Sequence, residues 1–132
     1  MPWIPDEYLD LIKDETKAFA CLATLMRDST PQLTPVWFNA DGTYILINSA
    51  IGRVKDRNMR LNPQVAITII DPSNPYRYLQ IRGRVVEITT QGANEHIDRL
   101  AKKYRGLDKY PYHSINEIRV SYKILPEHIS GH

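Results

Sequence analysis

The residues best suited to chemistry stand in one short basic segment, residues 49–60. Ser49 and Gly52 open the segment, and four cations with a single acid follow where a helix is expected to begin. Like charges at helical spacing, such as Arg53 and Arg57, repel each other by roughly 0.2–0.5 kcal/mol per pair. An anion bound beside them would remove that cost, so the segment is a candidate phosphate site.

Three kinds of group could hold a phosphate in this segment. The N-terminus of a helix offers free backbone N–H groups and the positive end of the helix dipole. Ser49 adds a hydroxyl, and Arg53 and Lys55 add charged hydrogen-bond donors. A solvated basic helix face would have the same composition, so the residues alone leave both interpretations open.

A second candidate is a proline within a run of strand-forming residues, Thr34-Pro35-Val36-Trp37-Phe38. Pro35 has no N–H to donate, so it marks a strand edge, a bulge, or backbone that faces something other than a strand. A flat ring system is one such object. An edge strand followed by a core tryptophan is the simpler interpretation from the residues alone.

A third candidate combines aromatic and cationic groups in Asn74-Pro75-Tyr76-Arg77-Tyr78. Alternation of this kind can stack the bases of single-stranded nucleic acid. No ribonucleoprotein aromatic motif or basic stripe accompanies it, and 17 Lys and Arg against 15 Asp and Glu give a net charge of only +2. Nucleic acid is therefore not an expected partner, and packing at a barrel end is the simpler role.

Other chemistries lack support in the sequence. No metal site is expected, because the histidines show no ligand spacing and no zinc-type Cys/His pairs occur. Cys21, the single cysteine, stands in an apolar run and is expected to be a small buried hydrophobe. His96 is expected at the surface or an interface. No residue is assigned a catalytic role.

Composition bounds the class of protein. The chain has 132 residues, 42% hydrophobic and 24% charged, as in an ordinary globular domain, so a single domain over residues 1–132 is expected. No basic segment precedes an apolar run at the N-terminus, and no run approaches the ~18 apolar residues that a membrane span needs. These features predict a cytoplasmic protein without a membrane partner.

The hydrophobic patterns predict a mainly β fold with a few helices. A short N-terminal helix is expected to be followed by three strands in meander order. Near Gly83 the apolar residues change from one set of alternate positions to the other, which predicts a bulge. The expected strands are residues 18–26, 32–38, 43–48, 64–70, 78–88 and 118–124, and the expected later helices are residues 54–61 and 93–104. Six strands of this kind predict a small antiparallel barrel with helices at its ends.

The order of these motifs resembles a known family. The segments that carry the resemblance are Leu22-Ala23-Thr24, Thr34-Pro35-Val36-Trp37-Phe38, Gly52-Arg53-Val54-Lys55-Asp56-Arg57-Asn58, Asp71-Pro72-Ser73-Asn74-Pro75-Tyr76-Arg77-Tyr78, Arg82-Gly83-Arg84-Val85 and His96-Ile97-Asp98-Arg99-Leu100-Ala101. The whole chain resembles the pyridoxamine 5'-phosphate oxidase-like split-barrel superfamily, in particular its short branch of deazaflavin (coenzyme F420)-dependent reductases. The resemblance implies a six-stranded split barrel of the FMN-binding type.

The resemblance also implies a homodimer with two cofactor sites at the subunit interface. The residues it assigns to the cofactor are Arg53 and Lys55 for the phosphate, Ser49, Gly52 and Val54 around it, Pro35, Val36 and Trp37 along the tricyclic ring, and Tyr76 and Tyr78 from the partner subunit. Ser49 stands where threonine is expected and keeps the hydroxyl. The loop of residues 112–117 departs from the branch's pattern, which leaves its role open.

The implied activity is hydride transfer from the reduced deazaflavin to a small organic acceptor such as a quinone, enone, nitro compound or tetrapyrrole. An FMN-binding oxidase or reductase of the same fold is the alternative, because the basic segment could serve either phosphate. A third possibility is a non-enzymatic protein that binds the flavin or deazaflavin. Vitamin B6 oxidation is not expected, because the C-terminal Arg and His segment of those oxidases is not found.

Overall fold

The computed structural model describes residues 4–132, so residues 1–3 of the N-terminal segment lie outside the described part. Within it, two short 3₁₀ helices, Asp6–Ile12 and Asp14–Thr16, precede seven strands and two α-helices. The strands are β1 (Phe19–Leu25), β2 (Pro31–Val36), β3 (Phe38–Ala40), β4 (Ile45–Ala50), β5 (Gln64–Ile70), β6 (Tyr78–Thr89) and β7 (Arg119–Gly131). The helices are α1 (Val54–Leu61) and α2 (Ala93–Arg105).

All seven strands belong to one antiparallel sheet, in the order β2-β1-β5-β6-β7-β4-β3. The sheet curls into a half-barrel, which confirms the mainly β split-barrel fold. Its concave face buries the alternating apolar residues of the central strands, such as Ile67, Ile81 and Tyr122. The expected number of six strands is wrong, because one expected strand is divided into two.

The division occurs at Trp37. Val36 ends β2 opposite Ala20 of β1, whereas Phe38 begins β3 opposite Ile47 of β4, so Trp37 belongs to neither ladder. The chain thus passes from one edge of the sheet to the other, and β2 never pairs with β4. The expected hairpin of the first two strands is confirmed, but the three-strand meander is wrong.

Side chains of α2 stabilise the backbone just after this break. Lys103 Nζ donates a hydrogen bond to the carbonyl oxygen of Phe38 at 2.7 Å, and the Phe38 N–H donates to Tyr104 Oη at 3.4 Å. The sequence pattern of the expected strand, residues 32–38, contains no sign of these contacts, because they come from a helix more than 60 residues away. The break therefore depends on tertiary contacts as well as on Pro35.

The expected bulge in β6 is confirmed. The β6–β7 register shifts between Arg82 and Gly83 and again between Val85 and Glu87. A Cβ atom at Gly83 would collide with the carbonyl oxygen of Leu125, so the close approach of the two strands requires glycine there. Cys21 differs from expectation, since its side chain is half-buried on the sheet rather than fully enclosed.

A buried carboxylate fixes helix α1 to the inside of the half-barrel. Asp56 is only 1% exposed, and it accepts hydrogen bonds from the hydroxyl of Tyr122 at 2.5 Å and from the N–H of Gly52 at 3.0 Å. Arg60 Nε donates a third hydrogen bond at 3.0 Å. Burial raises the pKa of Tyr122 well above its usual range, so its hydroxyl keeps the proton that it donates.

Replacing Tyr122 by Phe tests this attachment. The change keeps the buried ring and removes one donor to a buried charge, so the free energy of unfolding should fall by about 1.5–3 kcal/mol. Urea denaturation measures the difference. The control is Tyr44→Phe, since the Tyr44 hydroxyl makes no hydrogen bond to the described residues. Equal stabilities of the two variants would contradict the assignment.

Candidate functional site

A cavity of about 430 Å³ lies between the β2–β3 break, the start of α1 and the inner side of α2. It brings together the two segments that sequence reasoning selected first. The predicted site residues that line it are Pro35, Val36, Trp37, Arg53 and Lys55. The part of the cavity around Trp37 is called the aromatic end below, and the part around Arg53 and Lys55 is called the cationic end.

The other predicted site residues do not line this cavity. Ser49 points into the barrel, where its Oγ is buried without a hydrogen-bond partner among residues 4–132. Gly52 and Val54 adjoin the cavity at the turn into α1. Tyr76 is 88% exposed and Tyr78 stacks on His132, both near the start of β6. Their contribution from a partner subunit stays a prediction.

The aromatic end is built around Trp37. Its ring stacks on Tyr104 of α2, with centroids 5.4 Å apart and planes 11° from parallel, and meets Tyr110 edge to face at 6.3 Å. The Tyr104 hydroxyl donates to the carbonyl oxygen of Ala18 at 2.9 Å. Burial raises the pKa of Tyr104 to about 12, so the hydroxyl stays protonated and holds the stack in place.

The cationic end contains three positive side chains, Arg53, Lys55 and Arg119. Lys55 is half-buried, and burial followed by repulsion from Arg53 and Arg119 lowers its pKa below the ordinary value. The first-turn N–H groups of α1 have no acceptor within the helix, and no side chain caps them. This end therefore carries unbalanced positive charge and free donors, which an anion such as a phosphate would satisfy.

Sequence reasoning missed Arg119. This side chain is 5% exposed, donates from Nε to Asn48 Oδ1 at 2.9 Å and from Nη1 to Glu117 at 2.7 Å, and lies 5.2 Å from the centre of the Tyr110 ring. Because side chains alternate along β7, Arg119 lies on the opposite face of the strand from Val120. In the sequence pattern the face of Arg119 is the polar one. Only the packing of α2 and the Tyr110 loop onto that face buries it.

Asn48 was also missed, although the sequence contains a signal for it. In β4 the residues Ile45, Ile47 and Ser49 are buried toward the barrel, so Asn48 points the other way. Strand alternation therefore excludes Ser49 and selects Asn48 for any site on the α2 side of the sheet. The expected hydroxyl of Ser49 would have to act from inside the barrel.

Comparison with known proteins identifies the family. A family model described as pyridoxamine 5'-phosphate oxidase matches residues 4–132. The chain belongs to this family. Membership supports an oxidoreductase with a flavin-type cofactor, without distinguishing flavin from deazaflavin. A search of curated proteins found no match.

Solved structures resemble the chain over nearly its whole length. An F420 reductase is 33% identical, with a TM-score of 0.85 and coverage of 96% of this chain and 98% of that one. HupZ of Group A Streptococcus is 22% identical, with a TM-score of 0.69 and coverage of 97% and 93%. A conserved hypothetical protein from Mycobacterium tuberculosis is 18% identical, with a TM-score of 0.71 and coverage of 97% and 84%. The latter two show the fold alone.

Neither α-helix of residues 4–132 has the length and hydrophobicity to span a bilayer. In the same residues no three His, Cys, Asp or Glu side chains converge in a way that could hold a metal ion.

Behind the cavity, His96 of α2 connects the helix to the sheet. Its Nε2 lies 2.7 Å from Asn39 Oδ1 and its Nδ1 lies 2.8 Å from Ser121 Oγ, an arrangement that suits the neutral ring. Burial, reinforced by Arg99 and Arg119, lowers its pKa to about 4. The side chain is half-buried against the sheet and so is not a fully exposed surface residue, and a position at an interface between subunits stays a prediction.

The low pKa of His96 predicts a pH-dependent stability. The unfolded chain binds a proton at this residue below about pH 6.5, whereas the folded protein resists doing so until about pH 4. The free energy of unfolding should therefore fall as the pH drops from 7 to 4, by up to about 3 kcal/mol from this residue. Urea denaturation of wild type and His96→Gln at several pH values measures the difference.

The stability gap between wild type and His96→Gln should narrow as the pH falls. His128→Gln serves as the control, since it replaces an exposed histidine on β7. A gap that stays constant from pH 7 to pH 4 would contradict the burial of a neutral His96.

Proposed function

We propose that the protein is an F420-dependent oxidoreductase that reduces a small organic acceptor. The observation that carries this proposal is the lining of one cavity, which combines cations at the start of α1 with aromatic side chains at the β2–β3 break. Such a cavity suits a molecule with a phosphate at one end and a flat ring system at the other. The F420 reductase that is 33% identical supports the deazaflavin as that molecule.

Each group of residues has a role in holding the cofactor. Arg53 and Lys55 bind the phosphate as charged donors, together with the free N–H groups of α1. The backbone of residues 35–37 borders the ring, because β2 is an edge strand that pairs only with β1, and Trp37 belongs to neither ladder. Tyr104 and Tyr110 keep water from the aromatic end.

The bound cofactor supplies the hydride, and the protein orients it toward the acceptor. No side chain is assigned as a general acid, and water or a main-chain group can deliver the proton that follows. The class of acceptor stays as broad as in the sequence analysis: a quinone, an enone, a nitro compound or a tetrapyrrole.

The alternative is the same fold holding FMN, as an oxidase or reductase. A fluorescence titration of the apoprotein with the deazaflavin coenzyme and with FMN, at one ionic strength, separates the two. Preference for the deazaflavin supports the proposal, and preference for FMN supports the alternative. A non-enzymatic binder would bind the cofactor and reduce none of the acceptors, so turnover distinguishes it from both enzymes.

We also propose that the cavity is completed by a second copy of the chain. Phe19 lines the cavity and is 61% exposed, and Ile51 and Ile118 near the cationic end are 48% and 59% exposed. Large apolar side chains of this kind suit a partner surface. The residues assigned to that partner are Tyr76 and Tyr78.

Removing a cation tests the phosphate assignment. Arg53→Ala and Lys55→Ala should each weaken binding of the cofactor by about 1–3 kcal/mol, since each removes a charge-assisted hydrogen bond. The titration above measures the affinity. Arg57→Ala is the matched control, because Arg57 is an exposed cation of the same helix that does not line the cavity. Unchanged affinity in both test variants would remove the assignment.

Sedimentation tests the dimer. The chain has a mass of 15.3 kDa, and a particle of twice that mass is expected at micromolar concentration. Phe19→Lys should shift the particle toward the monomer, because it places a charge in the proposed interface. A wild-type protein that sediments as a monomer would overturn this part of the proposal.

A further inference from the structure

One carboxylate is shared between two cations of the cavity. Glu117 Oε2 lies 2.9 Å from Arg53 Nη2, and Glu117 Oε1 lies 2.7 Å from Arg119 Nη1. Each carboxylate oxygen therefore engages a different arginine. The residue comes from the end of the loop between α2 and β7, so the contact closes that loop against the start of α1.

Glu117 occupies the kind of position that a bound anion would take. Hydrogen bonds from Arg119, and then from Arg53, hold the pKa of this carboxyl below its ordinary value, so it is ionised at neutral pH. Its side chain is 26% exposed and lies against Arg53 and Arg119, two residues that line the cavity, although Glu117 does not line the cavity itself. Any phosphate bound by Arg53 must therefore approach a fixed negative charge.

Lys55 lacks such a partner. No acidic side chain of residues 4–132 forms an ion pair with it. The three cations with one carboxylate leave a surplus of about two positive charges when all four groups are ionised. That surplus attracts an anion, but the fixed carboxylate opposes each additional negative charge that the anion carries.

We propose that Glu117 is a specificity-determining residue that shifts the preference of the site toward a phosphodiester, with one negative charge, and away from a phosphate monoester, with two. This inference rests on the proposed function, because it assumes that Arg53 and Lys55 hold the phosphate. Coenzyme F420 carries a phosphodiester and FMN carries a phosphate monoester. By the charge of the phosphate group alone, Glu117 would thus shift the preference of the site from FMN toward coenzyme F420.

A purely structural role of Glu117 predicts a different result. If the carboxylate only held the two arginines in position, its loss would weaken both kinds of phosphate alike. If it repels the ligand, its loss strengthens binding, and the gain is larger for the ligand with more charge. The ratio of the two affinities therefore separates the roles.

The test uses two ligands that share one ring system and differ only in the phosphate group. Wild type and Glu117→Gln are titrated with FMN and with its phosphate methyl ester, a diester, at pH 8, where the monoester is a dianion. Riboflavin, which lacks phosphate, is the ligand control. Glu127→Gln is the control variant, because Glu127 also pairs with an arginine, Arg84, but away from this cavity.

Glu117→Gln should strengthen binding of the methyl ester about threefold and of FMN about tenfold, since each unit of charge contributes as an exposed pair does. Riboflavin binding should not change, and Glu127→Gln should change none of the three. Comparing two ligands on one protein sample removes the effect of any loss of folded protein.

Equal gains for both phosphates, a loss for both, or no change would overturn the inference. Failure of the proposed function gives another pattern, in which Arg53→Ala and Lys55→Ala leave both affinities unchanged. The two failures are therefore distinguishable with the same ligands.

Discussion

The buried carboxylate of Asp56 is the constraint on which the geometry of the site depends. It binds the Tyr122 hydroxyl from the core of β7 and the Gly52 N–H from the turn before α1. An unpaired charge at this depth would be very costly, so the three hydrogen bonds form together. Because Arg53 and Lys55 lie between Gly52 and Asp56, their position relative to the sheet follows from this one group.

The aromatic end depends on a different feature. At Trp37 the chain crosses from one edge of the sheet to the other. An uninterrupted strand would pair both sides of the backbone and leave no surface for a ring. Pro35 has no backbone N–H to donate. Lys103 of α2 donates a hydrogen bond to the Phe38 carbonyl oxygen, and the Tyr104 hydroxyl accepts one from the Phe38 N–H. Helix α2 therefore has two functions, since it covers the sheet and keeps the break open.

The sequence predicts those elements whose patterns are local. Apolar spacing and its flanking residues predict helix α1 and strand β5, and the change of parity in the alternation predicts the bulge at Gly83. The structure confirms all three. The pairing of β3 with β4 could not be predicted, because it depends on contacts between residues far apart in the chain. Arg119 was missed for the same reason. A polar residue in an alternating strand is predicted to face solvent, and the packing of α2 that buries Arg119 cannot be seen in the local pattern.

The like charges of the site oppose folding, and this cost supports the proposed binding of an anionic ligand. Arg119 is nearly fully buried and Lys55 half-buried, and each is repelled by the other. Folding stability would favour apolar residues at such positions, since desolvating like charges together is unfavourable. Glu117 offsets only part of this repulsion. Surplus positive charge beside an aromatic stack is therefore the arrangement that the proposed ligand, with its phosphate and flat ring, would complement.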